Sequence, residues 1–178
     1  MLEKNDTQLM IVDVQGKLAQ IMHDRDALFG HLHTMTKAAL LMDLPIVWVE
    51  QIPEKLGKTI NEISDELPDR KAIAKTSFSA WKEAAVRRAV DPDKKHILLV
   101  GIEAHICVYQ TAIDLLSQGF HVHLVTDAIS SRTPENKALA IQRLTHAGAT
   151  LTSTEMALFE LQKTAEGDQF RALLKIIK

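Results

Sequence analysis

The chain has 178 residues, 46% of them apolar, with 21 Lys and Arg against 23 Asp and Glu for a formal charge of −2. That length suits one domain over residues 1–178, large enough to bury a core without disulfides or a structural metal. Scattered, nearly balanced charge disfavours a nucleic-acid or anionic-membrane surface, and a lone cysteine excludes an internal disulfide or a paired-cysteine zinc site. The polar start MLEKNDTQ, followed by one short apolar run, reads as neither a signal peptide nor a membrane span, so a cytoplasmic, reducing setting is expected.

Gln8–Val14 (QLMIVDV) reads as the first strand. Apolar positions at 28, 32, 35, 39 and 42 predict a long amphipathic helix over Asp24–Asp43. Pro45–Glu50 is the second strand, Thr59–Leu67 a short helix, Arg70–Lys75 the third strand and Ala80–Val90 a helix stopped near Pro92. Lys95–Gly101 (KHILLVG) is a buried fourth strand, and Ile106–Leu116 returns to helical spacing. Phe120–Val125 is the fifth strand; Pro134–Ala147 is a helix with proline in its first turn and Gly148 beyond its end. Ala149–Thr152 gives the last strand, and Ser153–Leu161 and Asp168–Ile176 the terminal helices. Alternation of this kind predicts a three-layer α/β/α fold around a doubly wound, six-stranded parallel sheet. The commonest strand order, 3-2-1-4-5-6, puts a ligand crevice between the ends of strands one and four.

Asp13 and Lys75 end two of those strands, and Cys107 lies where strand four hands over to a helix. A carboxylate takes a proton from a thiol it touches, and an ammonium beside them stabilises both anions. A thiol at a helix start also ionises more readily than a free one, which predicts a reactive Cys107 with a depressed pKa. Gln15, Glu50, Gln51, Phe78 and His105 flank the same strand ends and are candidates for the pocket wall. His121 and His123 share one face of strand five, but with no third ligand apparent they read as structural. Asp127 reads as a brace for the loop before Ser130 and Ser131, and Trp48 and Trp81 as core or interface residues. No G-x-G-x-x-G follows strand one, which removes dinucleotide binding.

The segments LMIVDVQ, AKTSFSA, GIEAHICVYQTAIDLLSQGFHVHLVTDAISSR and ALAIQRLTHAGATLTSTE together resemble the isochorismatase-like cysteine hydrolases, a superfamily that includes nicotinamidases and carbamoylsarcosine-type amidohydrolases. The resemblance covers nearly the whole chain and is greatest to its short YcaC-like and isochorismatase-domain-containing members. It implies Cys107 as nucleophile, Asp13 as general base and Lys75 as their charged partner. It further implies a cis Ile102–Glu103 peptide and an oxyanion hole formed by the Glu103 and Cys107 N–H groups. The implied reaction is hydrolysis of an amide, ureide or carbamoyl C–N bond in a small molecule, through a thioester and without a cofactor. The region that binds metal in nicotinamidases here reads WVEQIPEKLG and holds no histidine, so no metal is expected. Homo-oligomers are common in the superfamily, and an idle oligomeric scaffold of the same fold is the alternative reading.

Overall fold

The computed structural model describes residues 1–178. Six strands, β1 (Thr7–Val12), β2 (Ile46–Gln51), β3 (Ile73–Lys75), β4 (His96–Gly101), β5 (His121–Ile129) and β6 (Thr150–Thr152), form one sheet in the order 3-2-1-4-5-6. Every pairing is parallel. The helices in chain order are α1 (Gly16–Gln20), α2 (Arg25–Leu41), α3 (Pro53–Leu56), α4 (Asn61–Ser64), α5 (Ala84–Ala89), α6 (Tyr109–Ser117), α7 (Pro134–His146), α8 (Thr154–Gln162) and α9 (Gly167–Ile177). None is long and apolar enough to cross a membrane.

Burial on both faces makes this a doubly wound sheet. Every residue of β1 is buried, and its side chains alternate between two cores: Leu9 and Ile11 pack on the α2, α8 and α9 side, Met10 and Val12 on the α5, α6 and α7 side. β4 does the same with Leu98 and Val100 against Ile97 and Leu99. Trp48 belongs to the first core, its ring N–H donating to Thr59 Oγ1. Trp81 meets Phe120 edge to face at 5.5 Å between ring centres.

Several elements differ from the sequence expectation, each for a local reason. β1 ends at Val12 because Asp13 takes a left-handed φ of +53° and its carbonyl accepts from the Gln15 N–H at 2.8 Å. The expected helix over 80–90 is split: Ala80–Lys82 form a 3-10 turn and Glu83 stays extended before α5 begins. The Glu83 carboxylate instead accepts from the backbone N–H groups of Thr76 and Ser77, at 3.0 and 3.3 Å, and pins the loop after β3. β5 runs four residues beyond Val125, because a register shift between Leu99 and Gly101 lets Gly101 pair with Ile129. Asp127 therefore lies within a strand, and it caps α8 by accepting from the Thr154 N–H at 2.9 Å.

One glycine fixes how close the central strands come. Gly101 has φ +120°, and a Cβ there would lie 2.1 Å from the Val12 carbonyl oxygen. That oxygen accepts from the Ile102 N–H at 2.9 Å, tying the exit of β4 to the end of β1. The residues after both strands are thereby held side by side at the carboxyl edge of the sheet.

Candidate active site

Asp13, Lys75 and Cys107 meet at that edge although 94 positions separate the first from the last (107 − 13). Lys75 lies two strands away from Asp13, and its stem crosses the end of β2 to put Nζ 2.6 Å from Asp13 Oδ2. Neither side chain sees solvent, with 0% and 2% exposure. A buried ion pair of this kind persists only when its remaining hydrogen-bonding capacity is met. The ammonium meets its own: it donates to Gln51 Oε1, to Ser77 O at 3.0 Å and to Phe78 O at 3.1 Å. Three groups act on Asp13 in favour of its ionised form: the Lys75 ammonium, the Cys107 thiol and the Gln51 backbone. Burial raises the Asp13 pKa above the ordinary carboxylate value, outweighing the Lys75 charge that pulls it down.

Cys107 does not sit at the first turn of an α-helix. Ala104–Val108 form a π-helical turn, closed by Val108 N–H donating to Glu103 O at 3.2 Å, and α6 starts only at Tyr109. The thiol is buried and close enough to Asp13 and Lys75 for each to alter its acidity. Its pKa is pushed up to about 12, first by burial and then by the Asp13 charge, with Lys75 opposing. The depressed thiol pKa expected from the helix-start argument is therefore wrong. Burial and a neighbouring carboxylate outweigh the partial charge of one helical turn.

The Ile102–Glu103 peptide is cis. Glu103 is buried, its carboxylate accepting from Arg132 Nε at 3.1 Å and from the Arg132 backbone N–H at 3.2 Å. No turn or loop hydrogen bond uses the Glu103 N–H.

The candidate wall residues divide. Gln15 is fully buried and spends its amide on backbone: Oε1 accepts from Gln51 N–H at 2.6 Å, while Nε2 donates to Gln51 O and Gly57 O. It is a brace and not a pocket wall. Glu50 likewise holds Thr59, accepting from its N–H and hydroxyl at 2.7 Å each. Gln51 is 7% exposed and faces Lys75. His105 turns toward Ser131, with Nδ1 2.9 Å from Oγ. Phe78 is 56% exposed and lines a cleft of about 200 Å³ with Tyr109, Gln110, Ile113, Lys82 and Asp114, beside the loop that holds Lys75. Larger clefts lie elsewhere, one of about 570 Å³ between α1 and the start of α4, one of about 420 Å³ between α2 and the end of α9 and one of about 360 Å³ beside Trp48, and none is lined by Asp13, Lys75 or Cys107.

At the opposite edge, sequence reasoning missed a partner for the strand-five histidines. His96 on β4 stacks on His121 and places Nδ1 2.7 Å from His123 Nε2. Strand pairing is the reason, since His96 aligns with His121 in the β4–β5 register. No three His, Cys, Asp or Glu side chains converge to hold a metal ion, here or elsewhere in the chain.

Comparison with known proteins decides the family. Residues 7–156 match the isochorismatase domain. This chain belongs to the isochorismatase family. Among its relatives, the secreted isochorismatase effector Isc1 of Phytophthora sojae is 38% identical over 96% of this chain and 83% of its own. A structure of the Caenorhabditis elegans MAR1 ribonuclease superposes with a TM-score of 0.90 at 29% identity, covering 99% of this chain and 91% of that one. Two YcaC structures extend the likeness. The Pseudomonas aeruginosa protein, solved with covalent acrylamide, has a TM-score of 0.91 at 26% identity, covering 98% and 90% of the two chains. The Escherichia coli protein, described as an octameric hydrolase of unknown specificity, has a TM-score of 0.92 at 25% identity, covering 98% and 89%. The fold here is the hydrolase fold of that family.

Proposed function

We propose that the protein is a cysteine-dependent hydrolase of a small C–N compound, an amide, ureide or carbamoyl derivative. The observation that carries the reading is the buried meeting of Cys107, Asp13 and Lys75 at the switch point of the sheet. The covalent acrylamide on a YcaC neighbour supports it, because acrylamide is itself a small primary amide that alkylates thiols.

With its thiol pushed up to about 12, Cys107 holds its proton at neutral pH, so ionisation and attack occur together. As sulfur approaches the substrate carbonyl carbon, Asp13, within hydrogen-bonding reach of the thiol, takes the S–H proton. The carbonyl oxygen gains charge and is received by the Glu103 N–H, free of turn and loop hydrogen bonds, together with the Cys107 N–H. Asp13 then protonates the departing nitrogen as the C–N bond breaks, leaving an acyl group on sulfur. Water, deprotonated by the same carboxylate, attacks that thioester and restores the thiol. Lys75 keeps Asp13 ionised in a site that would otherwise protonate it.

The nucleic-acid cleavage named for the nematode neighbour draws no support from a formal charge of −2 with no basic stripe. No step needs a metal or cofactor. Homo-oligomerisation is part of the reading, supported by the octameric Escherichia coli neighbour and by the exposed Phe78 and Met156. A cytoplasmic, reducing setting suits a free catalytic thiol. The test is a panel of small amides and ureides incubated with the protein, followed by intact mass and ammonia release. An acyl adduct on Cys107, absent in Cys107→Ala, supports the reading. Turnover retained by folded Cys107→Ala refutes covalent catalysis, and no adduct or turnover with any member favours the scaffold.

A further inference from the structure

Two segments leave the triad and diverge. The loop after β3 turns back through Ser77 and Phe78, whose carbonyls accept from Lys75 Nζ at 3.0 and 3.1 Å. The helical run that holds Cys107 continues into α6, so Tyr109 and Gln110 follow the thiol within about 5 Å of helix axis. Between these segments lies the cleft of about 200 Å³, walled by Phe78 on one side and by Tyr109 and Ile113 on the other.

The spacing of the walls is fixed. Ala80 N–H donates to Thr111 Oγ1 at 2.9 Å and Ser79 Oγ donates to Asp114 Oδ2 at 2.7 Å, which fastens the loop to α6. Lys82 pairs with the same Asp114 oxygen at 3.2 Å, so the one carboxylate in the cleft is already matched by a cation. Arg143 lies over the Tyr109 ring, 4.8 Å from its centre, and steadies it. The surface left uncovered is apolar: the exposed Phe78 ring and the partly buried Tyr109 and Ile113. An apolar cavity of about 150 Å³ takes up benzene, so this cleft has room for one six-membered ring or a chain of about four carbons.

We propose that the cleft is a specificity subsite: the substrate carries a neutral apolar substituent, one ring or a short alkyl chain, that lies between Phe78 and Ile113 while its C–N bond meets Cys107. This rests on the reading of Cys107 as nucleophile. It narrows the substrates to amides, ureides or carbamoyl compounds bearing such a group, and places urea-sized compounds among the poor ones.

The test is alkylation of Cys107 at pH 7 by iodoacetamide and its N-methyl, N-butyl, N-hexyl and N-(3-carboxypropyl) derivatives, each rate divided by that for glutathione. In every case sulfur bonds to the methylene carbon, iodide leaves with its electron pair and the thiol proton passes to Asp13. A methylene fully removed from water brings about fourfold, and about twofold in a cleft open on one side. The N-butyl reagent is therefore expected to react about tenfold faster than the N-methyl one. No further gain comes with N-hexyl, whose chain outruns the cleft, and the carboxylate reagent gains nothing. Gln110→Trp, at an exposed helix position, fills the cleft, and Phe78→Ala removes a wall; each cuts the butyl-to-methyl ratio at least threefold. Equal rates across the series, a rate that keeps climbing through N-hexyl, or a ratio that Gln110→Trp leaves intact overturns the subsite. Should Phe78→Ala fail to fold, Gln110→Trp decides alone. A thiol inert to every reagent, iodoacetamide included, overturns instead the reading of Cys107 as nucleophile, and the subsite falls with it.

Discussion

Replacing Lys75 by methionine leaves the Asp13 carboxylate buried with no cation beside it, at 2% exposure. The folded protein then holds Asp13 protonated at neutral pH, whereas the unfolded chain ionises it near the ordinary value of 3.8. Holding that proton at pH 7 costs about 1.4 kcal/mol for each unit above 3.8, a ceiling of about 4.4 kcal/mol, in line with the 3–5 kcal/mol typical of a buried pair broken on one side. At pH 5 the same arithmetic leaves about 1.6 kcal/mol. The sign follows from a folded pKa raised above the unfolded one: the stabilising contribution of the protonated form is complete below pH 3.8 and is lost as pH climbs toward the folded pKa. In the wild type Asp13 is raised less, so the two proteins diverge only above the wild-type value. Urea denaturation at pH 5, 6 and 7 therefore shows a deficit in Lys75→Met that grows with pH, and Asp13→Asn in the same chain removes the growth. A deficit of equal size at all three values, or a double variant with the same pH slope as the single one, would contradict this account of the pair.

Gly101→Ala forces a Cβ to within 2.1 Å of the Val12 carbonyl oxygen, so the ends of β1 and β4 must part. A loss of more than about 2 kcal/mol is expected by thermal unfolding, and a melting temperature like the wild type's would show that the close approach is unimportant. Glu83→Ala removes the acceptor for the Thr76 and Ser77 N–H groups and loosens the loop whose Ser77 and Phe78 carbonyls hold Lys75. Slower alkylation of Cys107 is the expected readout, and an unaltered rate would separate that loop from the site. At the far edge, His123 has its pKa lowered to about 4 and His96 is lowered too, both chiefly by burial, with Asp6 pulling the other way. Because the unfolded imidazoles bind protons that the folded ones refuse, stability falls as pH drops from about 6.5 toward 4, by about 3 kcal/mol for His123 alone. His123→Gln flattens that slope in pH-dependent denaturation, and an unchanged slope would place the proton uptake elsewhere.

Much of the fold was legible because each strand of the sheet except the edges is a short apolar run bounded by turn residues, and strict alternation with helices dictates a parallel order. What failed to show were the places where a side chain overrides local propensity. Ala80–Val90 has the composition of a helix, but Glu83 is recruited by two N–H groups of a loop six and seven residues upstream, and the helix splits. β5 outran its apolar run because its last residues pair across a register shift in a neighbouring strand.

The site shows the same division. Asp13, Lys75 and Cys107 were visible as polar residues at strand ends, and topology alone brings the first and last together across the crevice. The acidity of Cys107 is not legible in the sequence, because the π-helical turn, the burial and the Asp13 charge all arise from tertiary structure. A position near the strand ends makes Gln15 a candidate for the pocket wall, yet the Gln15↔Thr59 bridge and the clamp on Gln51 turn it inward. His96 went unnoticed beside His121 because 25 positions separate them (121 − 96), and only the β4–β5 register makes them neighbours.

A buried thiol pushed up to about 12 ought to be inert at pH 7 unless a base removes its proton during attack. Site-mapped mass spectrometry after brief exposure to acrylamide at pH 7 measures this directly, with wild type and Asp13→Asn compared at matched fold. One adduct on Cys107 is expected in the wild type, with at least a hundredfold slower labelling in Asp13→Asn, of the order that a positioned base contributes. An unlabelled wild type, or equal labelling of the two proteins, would contradict it.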